Sequence, residues 1–223
     1  MTLSAVCFDL DDTLYPYDEY ARAGLRAAAD RLADVTGHRL HNELADLYFE
    51  EGITPSIFDR LLDRHDEIPD RHTTEMVRAY HDVDVGLSPY RDTTAVLELL
   101  RDRHTLGLLA DGRNVDRKLR MLGLAEYFET VVATARLDAA KTDRDPFERL
   151  LSGLSVPPDG TIYVGDDPRT DFEVPNRLGM GTVRVRRGRF SHLDASAERA
   201  EPNVEIERLE ELPPLIDEST TTG

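Results

Sequence analysis

The chain has 223 residues, of which 40% are hydrophobic and 32% are charged. This composition excludes a disordered chain and allows one substantial core, alone or with a small inserted domain. A formal net charge of −17 excludes nucleic acid as a partner, because most of the surface would repel a phosphate backbone. No apolar run is long enough to span a bilayer and the N-terminus carries no basic, apolar targeting segment, so we expect a cytoplasmic protein with no membrane partner.

Five short apolar segments, each bounded by turn or charge signals, predict buried strands. The first holds the single cysteine, Cys7, which no base or metal-ligand cluster surrounds, so we expect a buried structural thiol. The five segments are Ser4–Leu10, Thr105–Ala110, Thr130–Thr134, Thr161–Gly165 and Thr182–Arg186.

Helical patterns separate the strands from the second onward. They are Asp92–Arg103, Asn114–Leu124, and a helix that begins at Asp145-Pro146 and ends before Gly153. Strands that alternate with helices of about ten residues predict an α/β fold with a parallel, doubly wound sheet. Val204–Ile206 and Leu209–Leu215 are candidates for a last strand and helix.

A long helical stretch without a strand candidate follows the first strand. We interpret residues 15–86 as an all-helical domain inserted into a core formed by residues 1–14 and 87–223, because the apolar first strand needs neighbours on both sides. The alternative is an N-terminal helical domain that merely follows a strand. The predicted helices are Asp18–Val35, Asn42–Glu51, Pro55–His65 and Thr73–Asp82.

Acidic residues follow the first and fourth predicted strands, at the edge of the sheet where ligands collect. The carboxylate of Asp9 can attack phosphorus, and Asp11 can protonate the leaving alcohol and then activate water. After the fourth strand come Asp166, Asp167 and Asp171. Acids this crowded repel unless a cation joins them, and Mg²⁺ fits best. The structural alternatives are an acidic turn after the first strand and a cap on the helix after the fourth, provided by Asp171 or Thr170.

Basic residues in this chain are almost all arginine. Only Lys118 and Lys141 among the 27 are lysines, and an acidic surface with so little lysine suggests a high-salt cytoplasm, although a GC-rich genome would explain the bias equally well. Lys141 precedes the helix that leads to the fourth strand, where a compact ammonium can bridge a carboxylate and a phosphoryl oxygen. The alternative is a solvated lysine. We expect the arginines at 184, 186, 187 and 189 to form a solvated turn paired with surface acids, rather than an anion site.

Together, the two acidic clusters and Lys141 resemble the haloacid dehalogenase superfamily, in its phosphatase branch with a helical cap. The resemblance runs from about Ala5 to Gly188, and the cap matches only in length and helicity. Phe8–Pro16 resembles the first motif of the family, Lys141 the third, and Gly165-Asp166 with Asp171 the fourth. An acid at position 11 argues against true dehalogenases, whose first motif lacks one there.

The resemblance implies a Rossmann-like, three-layer core with Asp9 as nucleophile and Asp11 as acid and base. Mg²⁺ would be held by the carboxylates of Asp9 and Asp166 and the backbone carbonyl of Asp11. Asp171, with Asp167 as a further candidate, would support the metal or orient Lys141.

One motif departs from the family pattern. The second motif is a Thr or Ser at the end of the second strand, and this chain has Ala110 there. Asp111 and Gly112 still resemble the polar-glycine turn of the family, whose backbone amides can bind phosphate oxygens. Loss of one such hydroxyl costs roughly 2–4 kcal/mol of transition-state stabilisation. Arg113, Asn114 and a water molecule are the candidates to replace it.

We therefore expect a magnesium-dependent phosphatase that hydrolyses small phosphomonoesters through an aspartyl-phosphate. Sugar phosphates, phosphoglycolate and nucleoside monophosphates are the candidate substrates, and the cap would choose among them. One alternative is a weakly active or non-catalytic protein of this fold that binds a phosphorylated ligand or a protein partner, which Ala110 alone supports. Another is a phosphotransferase. The sequence does not give the oligomeric state.

Overall fold

A parallel sheet forms the centre of the fold. The computed structural model describes residues 3–54, 56–112 and 114–221, and within these ranges the chain forms six β-strands and nine α-helices. The sheet order is β3-β2-β1-β4-β5-β6, and all neighbouring strands are parallel. The predicted doubly wound sheet is confirmed, with the candidate last strand as its sixth member. The strands are Ala5–Phe8 (β1), Thr105–Ala110 (β2), Thr130–Ala133 (β3), Thr161–Gly165 (β4), Gly181–Val185 (β5) and Val204–Ile206 (β6).

Four helices lie between β1 and the helix that leads to β2, and the others alternate with the strands. Their ends differ from the predicted ones by a few residues, because a periodic pattern fixes a helix better than its ends. In the described ranges, no helix combines the length and apolarity that crossing a membrane requires. The helices are Tyr17–Thr36 (α1), His41–Phe49 (α2), Ile57–Leu62 (α3), His72–His81 (α4), Thr93–Arg101 (α5), Val115–Met121 (α6), Arg144–Leu154 (α7), Glu173–Leu178 (α8) and Leu212–Thr221 (α9).

The predicted end of α7 before Gly153 is wrong. Gly153 lies inside the helix, which ends at Leu154, and Ser155 then takes a left-handed conformation with φ 57°. A Cβ on Gly153 would lie 2.7 Å from the side chain of Thr130 in β3. The glycine therefore serves the close approach of helix to sheet rather than the end of the helix.

The face of the sheet under α7 is a closed apolar core. Cys7, Leu109 and Tyr163, from three neighbouring strands, pack with Phe147 and Leu150 of α7. Burial raises the pKa of the Cys7 thiol, which keeps it protonated and unreactive. The predicted structural role of this cysteine is confirmed.

The chain divides into two compact units, one of Met1–Tyr17 with Leu87–Gly223 and the other of Asp18–Gly86. The first contains the sheet. In the second, the rings of Tyr20 and Phe58 pack edge-on against Tyr80, and Leu25 and Leu32 of α1 are buried. That residues 15–86 act as a cap stays a prediction.

Candidate active site

The two acidic clusters lie at the carboxyl edge of the sheet, where the order of the strands reverses. β1 pairs with β2 on one side and with β4 on the other, so the two halves of the sheet meet between β1 and β4, and the chain crosses from one half to the other after β3. Asp9 directly follows β1, and Asp166 directly follows β4. A reversal of this kind opens a crevice above the strand ends, which is the usual place for a ligand in an open parallel sheet.

Lys141 joins carboxylates from both clusters. It lies between β3 and α7 with 4% of its surface exposed, and its Nζ donates to Asp9 Oδ1 and, at 2.9 Å, to Asp171 Oδ1. Burial acts to lower the pKa of Lys141, but the carboxylates of Asp171 and Asp9 outweigh it and hold the pKa well above its ordinary value. The side chain is therefore a permanent cation beside Asp9, and the solvated alternative is wrong.

Asp171 shapes the turn that follows β4. Its Oδ2 accepts the backbone N–H groups of Asp166 at 3.2 Å and Asp167 at 3.0 Å, while its Oδ1 binds Lys141. A Cβ on Gly165 would collide with this carboxylate, so the turn requires glycine there. Asp171 thus fixes the positions of the Lys141 ammonium and of the backbone of the turn, because it binds one with each carboxylate oxygen.

The other acid of this turn, Asp167, and the start of the following helix also have defined contacts. Among the described residues no side chain caps α8, whose N-cap residue is Phe172, so the expected cap by Asp171 or Thr170 is wrong. Asp167 binds the guanidinium of Arg169 through both carboxylate oxygens, at 2.9 and 2.8 Å. Asp171 is therefore the acid of this turn that contacts Lys141.

Asp9, Asp166 and Asp171 form a buried group that could hold a metal ion. One oxygen of each lies within 4.8 Å of those of the other two. Thr13 Oγ1 lies 3.1 Å from both Asp9 Oδ2 and Asp166 Oδ1, and its single proton can serve only one of them at a time. The three carboxylates and the Lys141 ammonium carry a summed charge of −2 when all are ionised.

Burial raises the pKa values of all three acids. Burial raises the pKa of Asp9 to about 7, since the opposing effect of Lys141 is smaller and Asp171 and Asp11 add to the rise. The pKa of Asp166 lies well above its ordinary value, first through burial and then through the charges of Asp9 and Asp171. Burial also raises the pKa of Asp171, against the effect of Lys141. The group therefore retains protons near neutral pH unless a further cation offsets its charge.

The residues of this group fit Mg²⁺. Asp166 Oδ2 is buried and has no hydrogen-bond partner among the residues that the structure describes. A buried oxygen without a donor is costly, so this atom has a physical need for a cation. Mg²⁺ prefers carboxylate oxygens, and its charge would balance the −2 of the group.

The side chain of Asp11 has contacts of its own. Lys118 Nζ lies 2.7 Å from each of its carboxylate oxygens, and the Tyr15 hydroxyl donates to Oδ1, also at 2.7 Å. Sequence reasoning missed Lys118. The rarity of lysine, which singled out Lys141, would have found it.

The turn after β2 keeps the glycine geometry of the second motif without its hydroxyl. Ala110 is buried and pairs with Ala133 of β3. Asp111 Oδ1 accepts a hydrogen bond from Thr134 Oγ1 at 2.6 Å, and Gly112 has a φ of 96°, which glycine adopts without strain. Arg113, one candidate to replace the hydroxyl, lies outside the described residues.

The arginines at 184, 186, 187 and 189, in and directly after β5, do not form the solvated turn that we expected. Arg184 is fully buried in β5, and its Nε donates to the backbone carbonyl of Asp166 at 3.1 Å. Arg187 donates to the backbone carbonyl of Thr13 and binds both oxygens of Asp92, at 2.9 and 3.0 Å. These two arginines hold the loops that carry Asp166 and Asp9.

The other two arginines of this run differ from each other. Arg189 Nε donates to the buried carboxylate of Asp12, in the loop after β1. Arg186 pairs with Glu205 and Asp194, as a surface arginine would. The expectation is therefore right for Arg186 alone.

Comparison with known proteins gives the family and the fold of this chain. A family model for haloacid dehalogenase-like hydrolases matches residues 3–179. The glyceraldehyde 3-phosphate phosphatase of Methanopyrus kandleri is 33% identical over 97% of this chain and 98% of its own length. Pyrophosphatase PpaX of Bacillus thuringiensis is 24% identical over 98% of each chain. Among solved structures, the HAD-hydrolase YfnB of Bacillus subtilis, bound to magnesium, superposes with a TM-score of 0.75 at 19% identity, over 97% of this chain and 100% of that one.

Proposed function

This chain belongs to the haloacid dehalogenase-like hydrolase family, and we propose that it is a Mg²⁺-dependent phosphatase that works through an aspartyl-phosphate on Asp9. Family membership and the phosphatase names of its relatives make it a phosphoric monoester hydrolase. The observation that carries the finer proposal is the buried group of three carboxylates, which Lys141 joins and in which one oxygen of Asp166 lacks a donor.

Asp9 and Asp166 would hold Mg²⁺ through their carboxylates, together with the backbone carbonyl of Asp11. When bound, the ion supplies positive charge to the oxygens of the phosphoryl group. Asp171, which the family resemblance assigns to supporting the metal or orienting Lys141, has both oxygens bound by Lys141 and by the turn after β4. We therefore assign Asp171 to positioning Lys141 and Asp166.

The reaction proceeds in two in-line steps. A carboxylate oxygen of Asp9 attacks phosphorus, the ester P–O bond breaks, and Asp11 gives its proton to the departing alkoxide. Asp11 then takes a proton from water, which attacks phosphorus and releases inorganic phosphate and the free Asp9 carboxylate. Lys141 and the backbone amides of the Asp111-Gly112 turn stabilise the charge on the equatorial oxygens.

The substrate class is a small phosphorylated metabolite. Glyceraldehyde 3-phosphate is the first ester to test, because the relative of Methanopyrus kandleri is named for it and covers nearly the whole chain. Other sugar phosphates, phosphoglycolate and nucleoside monophosphates complete the panel, with pyrophosphate added for the second relative. Nucleic acid is not expected as a substrate, given the net charge of −17.

The test is hydrolysis of 4-nitrophenyl phosphate and of this panel, with Mg²⁺ and with a chelator. We expect activity only with the metal, and a fall in kcat of at least about 10³-fold in Asp9→Asn. Asp159→Asn, an exposed acid before β4, is the matched control and should keep full activity.

Two further measurements separate this proposal from its rivals. Mass spectrometry of acid-quenched enzyme should find phosphate on the peptide that contains Asp9, and transfer of phosphate to an added alcohol would indicate a phosphotransferase. Activity unchanged by Asp9→Asn would refute the nucleophile. No turnover of any ester would favour the non-catalytic binding protein.

A further inference from the structure

Lys118 is a buried cation that binds the acid and base of the proposed reaction. It lies in α6, the helix that follows the Asp111-Gly112 turn, and only 8% of its side chain is exposed. Its Nζ lies 2.7 Å from Asp11 Oδ1 and 2.7 Å from Oδ2, so the ammonium faces the carboxylate symmetrically. The hydroxyl of Tyr15 adds a third bond to the same carboxylate.

Aromatic rings line the rest of this small site. Nζ lies 4.7 Å from the ring centroid of Tyr17 and 5.7 Å from that of Tyr15, within the range of cation–π attraction. Arg189 stacks on the same Tyr17 ring, at 4.0 Å. Because rings and carboxylate enclose the ammonium, water screens its pair with Asp11 less than it screens a surface ion pair.

Asp11 itself is less enclosed than its partner. Its side chain is 24% exposed, so its carboxylate stays accessible while Lys118 and Tyr15 bind it. Without these donors, the carboxylate would lose the bonds that fix its rotamer, and the charge of the nearby Asp9 would repel it.

A lysine suits this task better than an arginine would. The chain uses arginine for 25 of its 27 basic residues and lysine only here and at Lys141. A compact ammonium on a flexible stem can keep its bonds while the carboxylate turns, whereas a planar guanidinium imposes one paired geometry.

We propose that Lys118 is a positioning residue. It acts through Asp11, whose carboxyl group it holds within reach of the leaving oxygen. The proposal rests on the proposed function, in which Asp11 protonates that oxygen. It implies that loss of Lys118 lowers kcat/KM most for esters whose leaving group needs a proton in order to depart. An alkoxide needs one to depart, whereas 4-nitrophenolate departs without one.

The experiment compares two esters in Lys118→Met. For glycerol phosphate or another alkyl ester that the enzyme accepts, we expect kcat/KM to fall roughly 10- to 100-fold, part of the 10²- to 10⁴-fold that general acid catalysis contributes. For 4-nitrophenyl phosphate we expect a fall of less than about 3-fold. kcat/KM is the right measure because it covers the steps up to departure of the leaving group.

Three further variants make the comparison specific. Arg120 is an exposed cation on the same helix, and Arg120→Met should leave kcat/KM unchanged for both esters. Lys118→Gln keeps a hydrogen-bond donor without the charge and disturbs the packing less. It should also lower kcat/KM more for the alkyl ester than for 4-nitrophenyl phosphate, but by a smaller factor than Lys118→Met. In the Asp11→Asn background, Lys118→Met should have little further effect on the alkyl ester, because both changes remove one function.

The outcomes separate this proposal from the one on which it rests. Equal losses on both esters in Lys118→Met and Lys118→Gln would show a general structural role and overturn the proposal. The proposal is also overturned if Asp11→Asn lowers kcat/KM mainly for the alkyl ester and the Lys118 variants do not. In that case the proposed function would survive. If Asp11→Asn itself treats both esters alike, the assignment of Asp11 as general acid fails, and the proposal for Lys118 fails with it.

Discussion

Ala110 occupies the position where the family pattern places a hydroxyl that binds the phosphoryl group. It is the buried last residue of β2, one residue before the turn that contains Gly112. A serine adds a single oxygen at this point of the proposed phosphate site. We predict that Ala110→Ser raises kcat/KM for 4-nitrophenyl phosphate about 10-fold or more, since removal of one such donor elsewhere costs roughly 10²- to 10³-fold.

Ala133 provides the control for this gain. It pairs with Ala110 in the neighbouring strand and is equally buried, so Ala133→Ser imposes a similar packing and desolvation cost. A rise in Ala110→Ser alone supports the account of the second motif. Unchanged or lower activity in a stable Ala110→Ser protein would mean that the turn already has its full set of donors.

Single residues also mark the limit of what the sequence could predict. Asp9, Asp166 and Lys141 were found because each stands next to a predicted strand or helix end, and they do lie together. Lys118 stands within a helix, where nothing local distinguishes a site residue from a surface one, so only the rarity of lysine in the whole chain could have singled it out. Arg184 stood between two valines of a predicted buried strand, and a charge in such a place should have been expected to need buried partners.

At the scale of elements, Arg187 connects three segments that are distant in sequence. It binds the carboxylate of Asp92 before α5 and the carbonyl of Thr13 after β1, and it stacks on the ring of Tyr90 at 4.0 Å. A lysine has a single nitrogen, which cannot bind the carboxylate of Asp92 and the carbonyl of Thr13 from the separate positions that the guanidinium nitrogens occupy. We predict that Arg187→Lys lowers the free energy of unfolding by about 1–3 kcal/mol, measured by urea denaturation.

Arg177→Lys is the matched control for this substitution. Arg177 is 67% exposed in α8 and lies 3.9 Å from Glu173, so the same change there should cost less than about 0.5 kcal/mol. Equal effects of the two substitutions would mean that the contacts of Arg187 add nothing beyond those of a surface pair.

The elements themselves were largely predictable, because their signals are local. Five apolar segments became five strands, and the helical patterns became helices with slightly different ends. The error at Gly153 has a non-local cause, because this glycine is required by the close approach of Thr130 in β3, more than twenty residues away. The order of strands in the sheet depends on how the whole chain packs, and no single segment predicts it.

At the scale of the whole molecule, the net charge of −17 opposes the compact state. Acids exceed bases by 44 to 27, so the sum of repulsions outweighs the many surface pairs, which salt also weakens. The screening length falls from about 10 Å at 0.1 M salt to about 3 Å at 1 M. We predict that Tm rises by several degrees between these KCl concentrations, measured with a chelator present so that the site stays metal-free. A flat or falling Tm would remove the idea of adaptation to high salt.

Metal binding and pH should act on stability together. The pKa of Asp9 is raised from 3.8 to about 7 by burial, so between these values the folded protein binds more protons than the unfolded chain. Without metal, the contribution of Asp9 to stability therefore falls as pH rises through this window and is fully unfavourable above it. Asp166 and Asp171, whose pKa values burial also raises, act in the same direction.

We expect Mg²⁺ to oppose this trend, because a metal ion bound by the ionised carboxylates would compete with their protons. We predict that the rise in Tm on adding millimolar Mg²⁺ is small at about pH 6 and larger at about pH 8, since less proton release is needed at the higher pH. Asp166→Asn should abolish most of the rise, because it removes the carboxylate whose Oδ2 has no donor among the described residues. Asp159→Asn, an exposed acid before β4, should retain it. A rise that is independent of pH, or that survives Asp166→Asn, would mean that Mg²⁺ binds to the acidic surface rather than to the buried carboxylates at the end of β1 and β4.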